Sequence, residues 1–497
     1  MIGYIQQIEQ EEEREKAGKS YAYEVGSLIT AFFGNEKIRE EEEGAKFVLK
    51  IQIQEQYIKL QIEENGSIVE QSEGSFAQTK LSKRRNELKR YVYHLFVTYT
   101  KKELPWGTLT GIRPTKIAME FLQEGKTEQE IVKYYEREYL ATEQKATMCA
   151  KIATREQALL GTFPYEEQYS LYIGIPFCPS TCLYCSFTSY PIHKYEQKTW
   201  EYLEALKKEI AFIKEAMEQK GKKPSTIYMG GGTPTSLLAS QLDHLLGYVR
   251  ELFSLDEDDS KLLEFTVEAG RPDSITREKL QVLKKHKVDR ISINPQTMKD
   301  ETLRLIGRAH SVEDTKRAFL MAREEGMDNI NMDIIVGLPG ENLEDVKHTL
   351  DVIKDWKPES LTVHSLAIKR AANLNIQMEK YKSMVKGSTN DMLILVDEYA
   401  KQLNLVPYYL YRQKNIPGNL ENVGYAKEGL ECLYNILIME EKQTIMAAGA
   451  GATTKYVCQK ENRIERAENV KNVDQYIERI DEMIERKRTL LKENNDV

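Results

Sequence analysis

The chain has 497 residues, 41% of them hydrophobic and 30% charged, and a formal net charge of −8. That length accommodates two or three domains, and the composition is that of a soluble globular protein. The acidic balance argues against general nucleic-acid binding, no apolar run approaches a membrane span, and the N-terminus lacks a basic leader, so the expected compartment is the cytoplasm.

Residues 1–165 are expected to form an α+β domain. A strand pair with period-2 alternation, 46–54 and 56–62, precedes helical patterns at 80–101, 114–123, 127–137 and 142–160. No role for this region follows from its residues. Residues 166–370 alternate strands with helices. The strands are expected at 171–175, 226–229, 264–268, 290–293, 331–336 and 361–364, and the helices at 194–219, 236–254, 274–286, 312–326 and 342–355. Such alternation gives a parallel sheet with right-handed crossovers. Six units are too few to close an eight-stranded barrel, so the expectation is an α/β core built as an open (β/α)6 partial TIM barrel, with ligands at the carboxyl ends of the strands. Residues 371–497 are expected to be a helix-rich extension. Its charged stretch from Val473 to Lys492 is expected to be a solvated helical tail.

Cys178, Cys182 and Cys185 follow the first of these strands in a Cys-x3-Cys-x2-Cys run. Three thiolates on one short loop can hold three irons of a [4Fe–4S] cluster and leave the fourth open to a small molecule. Six cysteines in the whole chain are too few for a disulfide framework. A structural zinc site would need a fourth ligand, and His193 is the nearest candidate. Cys149, Cys432 and Cys458 show no partner spacing and are expected to be buried thiols. The other unusual residues also lie just past strand ends. They are Gly230-Gly231-Gly232-Thr233-Pro234, Glu268, Gln296 with Arg308 beyond it, Asp333 leading into Gly337-Leu-Pro-Gly-Glu341, and His364 with Ala367. Together on one rim they describe a pocket for a zwitterionic, ribose-bearing ligand beside a cluster.

On these residues the chain resembles the radical S-adenosylmethionine enzymes, and within them the oxygen-independent coproporphyrinogen dehydrogenase family, HemZ branch. The resemblance covers roughly residues 165–460, and the stretches Trp106–Lys116 and Tyr408–Asn415 are similar to the HemZ branch in particular. It implies that Cys178, Cys182 and Cys185 bind a [4Fe–4S] cluster whose open iron is chelated by S-adenosylmethionine. It further implies that Tyr172 and Tyr184 contact that cofactor, and that Gly231, Gly232 and Thr233 receive its amino end. Glu268 and Arg308 would lie near its methionine part, Gln296 and Asp333 near its ribose, and Ala367 against its adenine. The implied reaction is the radical decarboxylation of two propionates of coproporphyrinogen III to vinyl groups, giving protoporphyrinogen IX. The electron would come from a donor such as flavodoxin or ferredoxin.

Four carboxylates on such a substrate call for local positive charge. His364, Lys369 and Arg370 are the nearest candidates at the rim, with Arg113 and the basic segment 80–90 elsewhere. Phe187 stands where established decarboxylating members carry a fourth, non-ligating cysteine, and Gly174 stands where many have histidine. A haem-transfer branch shares the same core and cluster, so the alternatives are a haem-binding chaperone and a radical S-adenosylmethionine enzyme acting on another substrate. The haem-transfer branch's His-Asn-x-x-Tyr-Trp motif has no counterpart in this sequence.

Overall fold

The computed structural model describes residues 1–8, 11–34, 36–40, 43–78, 80–111, 113–258, 260–366, 387–412, 417–458 and 463–494. They form two compact units, Met1–Thr154 with Leu410–Asn422, and Arg155–Tyr409 with Val423–Val497. Segment 410–422, placed by the sequence in the C-terminal extension, thus belongs with the N-terminal unit. Among the described residues no helix is long and apolar enough to cross a membrane.

In the first unit the expected strand pair is present as Val48–Gln54 and Tyr57–Glu64, antiparallel, with Ile51 opposite Leu60 and Ile53 opposite Ile58. Those alternating residues are fully buried against Val25, Leu28 and Ile29 of one helix and Leu88, Val92 and Phe96 of another. Ile2–Ile8 adds in parallel to this pair, and Ser67–Ser75 adds in antiparallel fashion. Sequence reasoning missed Ser67–Ser75 because the strand is largely exposed on both faces and has no apolar alternation. A two-residue Asn65-Gly66 turn with positive φ at both positions joins it to its neighbour. The returning segment is held by buried charge. Trp106 Nε1 donates to Glu421 at 2.7 Å, Lys145 pairs with the same carboxylate, and the Arg412 guanidinium lies 5.0 Å from the Trp106 ring centroid. Trp106 and Arg412, one from each stretch that resembles the HemZ branch, therefore meet in this unit.

The second unit contains the six expected parallel strands, here β1 (Tyr169–Ile175), β2 (Pro224–Gly231), β3 (Glu264–Glu268), β4 (Arg290–Ser292), β5 (Ile330–Val336) and β6 (Ser360–Ser365). They pair in that order, β1 with β2 through to β5 with β6, all parallel. The crossover helices Thr199–Glu218, Ala239–Leu252, Arg277–Lys285, Val312–Glu324 and Leu343–Trp356 fall within the expected segments to within a residue. The C-terminal extension contributes strands as well as helices. Val423–Ala426 pairs antiparallel with β6, while Ile445–Ala448 pairs parallel with β1 and continues into an antiparallel pair, Thr453–Cys458 with Arg463–Glu468.

The charged tail departs from the solvated helix expected. It forms Val473–Glu478 and Ile480–Glu493, and one face of the second helix, Ile480, Met483, Ile484, Lys487, Leu490 and Leu491, is buried. Lys487 is 0% exposed and bonds Glu209, also 0% exposed, at 2.6 Å. Asn469 Nδ2, the Gly449 N–H and the Tyr476 hydroxyl complete the Glu209 carboxylate at 2.9, 2.9 and 2.5 Å. Surface charges on the opposite face masked this stripe in the sequence. Lys487→Ala leaves Glu209 as an uncompensated buried charge, so the expected loss is about 3–5 kcal/mol of unfolding free energy in urea titration. Glu485→Ala on the exposed face is expected to change it by no more than about 0.5 kcal/mol.

Candidate active site at the carboxyl ends of the strands

Backbone geometry fixes the cysteine loop to the end of β2. The Gly232 N–H donates to the Ile175 carbonyl and the Thr233 N–H to the Phe177 carbonyl, both at 2.7 Å. A Cβ on Gly232 would stand 2.5 Å from the Phe177 oxygen, so only glycine permits this approach. Gly231, at φ +107°, takes the left-handed region beside the Tyr172 hydroxyl. The far side of the loop is tied to the segment before Arg308. Leu183 N–H donates to the Ile306 carbonyl at 3.0 Å, and Ser180 Oγ to the Gly307 carbonyl at 3.2 Å.

Each cysteine has its own surroundings. Cys178 Sγ lies 3.7 Å from Thr233 Oγ1, and Cys182 Sγ accepts from Arg271 Nη1 at 3.7 Å. Burial pushes the Cys178 thiol up to about 11 and raises Cys185 as well. The metal-free Cys178 and Cys185 thiols are therefore protonated at neutral pH, and metal binding must displace those protons. Among the described residues no three Cys, His, Asp or Glu side chains converge on a single-ion position. A cubane does not require that convergence, because each thiolate binds a different iron. Phe187 is 71% exposed, and its backbone hydrogen-bonds Cys185. Gly174 has a local reason to be glycine, since a Cβ there would meet the Ala448 carbonyl at 3.2 Å and the Tyr172 ring at 3.4 Å.

The rim carries the remaining expected residues. Glu268 accepts a short hydrogen bond from the Tyr228 hydroxyl, and the Tyr228 ring stacks on Tyr434 at 4.4 Å between centroids. Burial pushes the Glu268 carboxyl up to about 7, with the Asp333 charge adding to it and the Tyr228 bond opposing it. Burial also pushes Asp333 up, but His364, 3.7 Å away, and Asn331, at 2.5 Å, bring it net below the ordinary range. Gln296 sits at φ +69° and is 6% exposed, held by its own N–H to the Asp333 carbonyl at 2.9 Å and by its carbonyl from the Ile335 N–H at 3.0 Å. Its side-chain oxygen, like that of buried Asn294, has no hydrogen-bond partner among the described residues.

Arg308 is more committed than the sequence suggests. Four of its five N–H groups bond Tyr184 Oη twice, at 2.9 and 3.2 Å, the Gly270 carbonyl at 3.1 Å and the Asn294 carbonyl at 2.9 Å. One Nη2–H remains, so a two-pronged grip on a carboxylate would require the Tyr184 bonds to open. Tyr184 accepts both bonds and keeps its own O–H free to donate. Arg308 and Glu268 thus have separate partners and form no ion pair with each other.

The structure therefore brings Tyr172, Tyr184, Gly231, Gly232, Thr233, Glu268, Gln296, Arg308, Asp333 and His364 together around the cysteine loop in one unit. Arg113 falls in the other unit, just before the Thr115–Gln123 helix. Ala367, Lys369 and Arg370 lie outside the described residues. Sequence reasoning missed the contributions of Arg271, Tyr228, Asn294 and Tyr434. Arg271 and Asn294 also stand just past strand ends, and that position was the available signal. Tyr434 comes from a distant segment and gave none.

The donor set fits the cluster that the cysteine spacing implies and the cofactor that the resemblance implies. Three thiols share one loop, glycines leave a cradle that a Cβ would fill, and unpartnered amide oxygens of Gln296 and Asn294 await donors such as hydroxyl or amino groups. Because the folded Glu268 value stands above that of the unfolded chain, the native state holds its proton more tightly. Its contribution is full below about 4.5 and is lost as pH rises through about 7. Glu268→Gln, which keeps an acceptor for Tyr228, is expected to flatten that part of the stability curve in urea titrations of the metal-free protein. It is also expected to unfold later than the parent above pH 7.

The chain is similar to known proteins. The Radical SAM superfamily description matches residues 172–353. The oxygen-independent coproporphyrinogen-III oxidase-like protein HemZ of Bacillus subtilis is 39% identical over 455 residues, 90% of this chain and 90% of that protein. The heme chaperone HemW of the same organism is 34% identical over 283 residues, 57% of this chain and 70% of its own. Among solved structures, the radical SAM enzyme coproporphyrinogen III oxidase (HemN) from Escherichia coli shares the fold. It matches with a TM-score of 0.50 at 24% identity, over 66% of this chain and 72% of that one. The similarity to HemZ runs through nearly the whole of both chains, so this chain belongs to the haem-biosynthesis-related HemN/HemZ family of radical SAM proteins, whose cofactors are a [4Fe–4S] cluster and S-adenosylmethionine.

Proposed function

We propose that the protein is an oxygen-independent coproporphyrinogen III dehydrogenase, converting two propionates to vinyl groups with loss of carbon dioxide to give protoporphyrinogen IX. The observation that carries this reading is the meeting of the three-cysteine loop, the glycine cradle and the Glu268–Gln296–Asp333 rim at one set of strand ends. The match to a HemZ protein along nearly its full length supports it.

In this reading Cys178, Cys182 and Cys185 hold the cluster, which with S-adenosylmethionine supplies one-electron hydrogen-abstraction chemistry. The backbone at Gly231, Gly232 and Thr233 receives the amino end of the cofactor. Glu268 accepts a hydrogen bond from that amine and ionises more readily beside the positive charge. The remaining Arg308 N–H and the Tyr184 O–H donate to the carboxylate, which asks less of Arg308 than a bidentate clasp would. Gln296 Oε1 and Asp333 accept from ribose hydroxyls, which would give the unpartnered amide oxygen its missing donor. Tyr172 closes the inner side of the cradle, and the resemblance implies Ala367, outside the described residues, for the adenine. His364, at the end of β6, is the described candidate for receiving a propionate, with Lys369 and Arg370 following it in the chain. A one-electron donor of the flavodoxin or ferredoxin class completes the requirements.

A second reading, a cluster-bearing haem chaperone, is favoured by the likeness to HemW. The test is an anaerobic assay of iron-reconstituted protein with reductant, S-adenosylmethionine and coproporphyrinogen III. The expected result is 5′-deoxyadenosine together with protoporphyrin after oxidation, both lost in Cys182→Ala. 5′-Deoxyadenosine without porphyrin product would overturn the substrate assignment. Stoichiometric haem binding without either product would favour the chaperone.

A further inference from the structure

We propose that Arg271 is a positioning residue for the iron–sulfur cluster, donating a charge-assisted hydrogen bond to the Cys182 sulfur and raising the cluster's reduction potential. The inference rests on the reading above, in which Cys182 is a cluster ligand.

Arg271 lies three residues past the end of β3 and is 2% exposed. All five of its N–H groups have an acceptor. Nε and one Nη2–H grip Asp273 at 3.0 and 2.9 Å, the other Nη2–H reaches Ser180 Oγ at 3.0 Å, and Nη1 donates to the Ser180 carbonyl at 2.9 Å and to Cys182 Sγ at 3.7 Å. The guanidinium therefore has no donor left for a ligand, and the sulfur is one of its five fixed acceptors. A planar fork gripped on one edge by a carboxylate cannot swing away from the loop, which a lysine ammonium could. His310, fully buried, stands 3.7 Å behind the same carboxylate and limits its movement.

The three cysteines thereby differ. Cys178 has a neutral hydroxyl beside it, whereas Cys182 has a cationic donor. Reduction adds negative charge that spreads onto the thiolate sulfurs, and a donor aimed at one of them stabilises the reduced state more than the oxidised. Asp273 offsets much of the long-range charge of Arg271. The N–H···S bond remains as the local term that moves the potential.

The test is an EPR-monitored redox titration of iron-reconstituted protein without S-adenosylmethionine, with iron per chain measured alongside. Arg271→Gln is expected to keep its iron and titrate at a more negative potential than the parent. Asp273→Asn, which keeps an acceptor for Nε but removes the opposing charge, is expected to titrate at a more positive one. Arg271→Gln with iron bound and an unchanged potential overturns the proposal. If Arg271→Gln loses its iron, Asp273→Asn decides, and a potential equal to or below the parent's overturns it. Lost packing alone would lower thermal stability without moving the potentials in opposite directions. A parent that takes up no iron, or a Cys182→Ala variant that retains the intact cluster, would instead defeat the assignment of the site.

Discussion

Two main-chain segments cross at van der Waals distance where β2 ends, and the arrangement of the rim depends on that crossing. Hydrogen bonds from Gly232 and Thr233 to the carbonyls of Ile175 and Phe177 pin the start of the cysteine loop to the glycine turn. No side chain fits between them, so the ligand-bearing loop and the cradle share one rigid backbone unit. Loops are ordinarily the most mobile part of a β/α fold. Here the loop is stitched at both ends, to β2 on one side and to the Ile306–Gly307 turn on the other. Small errors in orientation are costly in radical chemistry, since a reactive intermediate attacks whatever lies nearest.

Behind the rim the six-stranded sheet is polar where an ordinary barrel interior would be aliphatic. Glu264 on β3 accepts from the Leu433 and Tyr434 N–H groups at 2.6 and 3.4 Å, capping the helix that begins there. That cap sets Tyr434 in its stack on Tyr228, and Tyr228 in turn bonds Glu268. The C-terminal extension thus reaches through one buried carboxylate and two tyrosines to a group on the rim. Tyr172 stacks beside Tyr228 at 6.3 Å, so the inner wall of the cradle belongs to the same aromatic assembly.

Much of this was legible in the sequence. The six strands fall within two residues of their expected bounds, because short segments rich in apolar and β-branched residues between helical periods admit few other readings. The cysteine triplet and the glycine run mark chemistry and backbone closeness that few other residue types could supply. Ser67–Ser75 was not legible, since its pairing rests on backbone hydrogen bonds and a turn rather than on apolar alternation. The buried face of Ile480–Glu493 was hidden for the opposite reason, a lysine occupying a core position.

Local sequence therefore determined the βα alternation, the cluster motif and the position of each candidate residue relative to a strand end, because those depend on residue type and short spacing alone. Tertiary structure decided which partners the charged groups have. Arg308 and Glu268, both expected near the methionine part of the cofactor, each bond a tyrosine. Arg271, unremarkable in the chain, came to rest on a cysteine sulfur 89 residues away. Lys487 found Glu209 across 278 residues. Buried charge must be satisfied by whatever the fold brings near, and that neighbour is a property of packing that no short stretch of sequence contains.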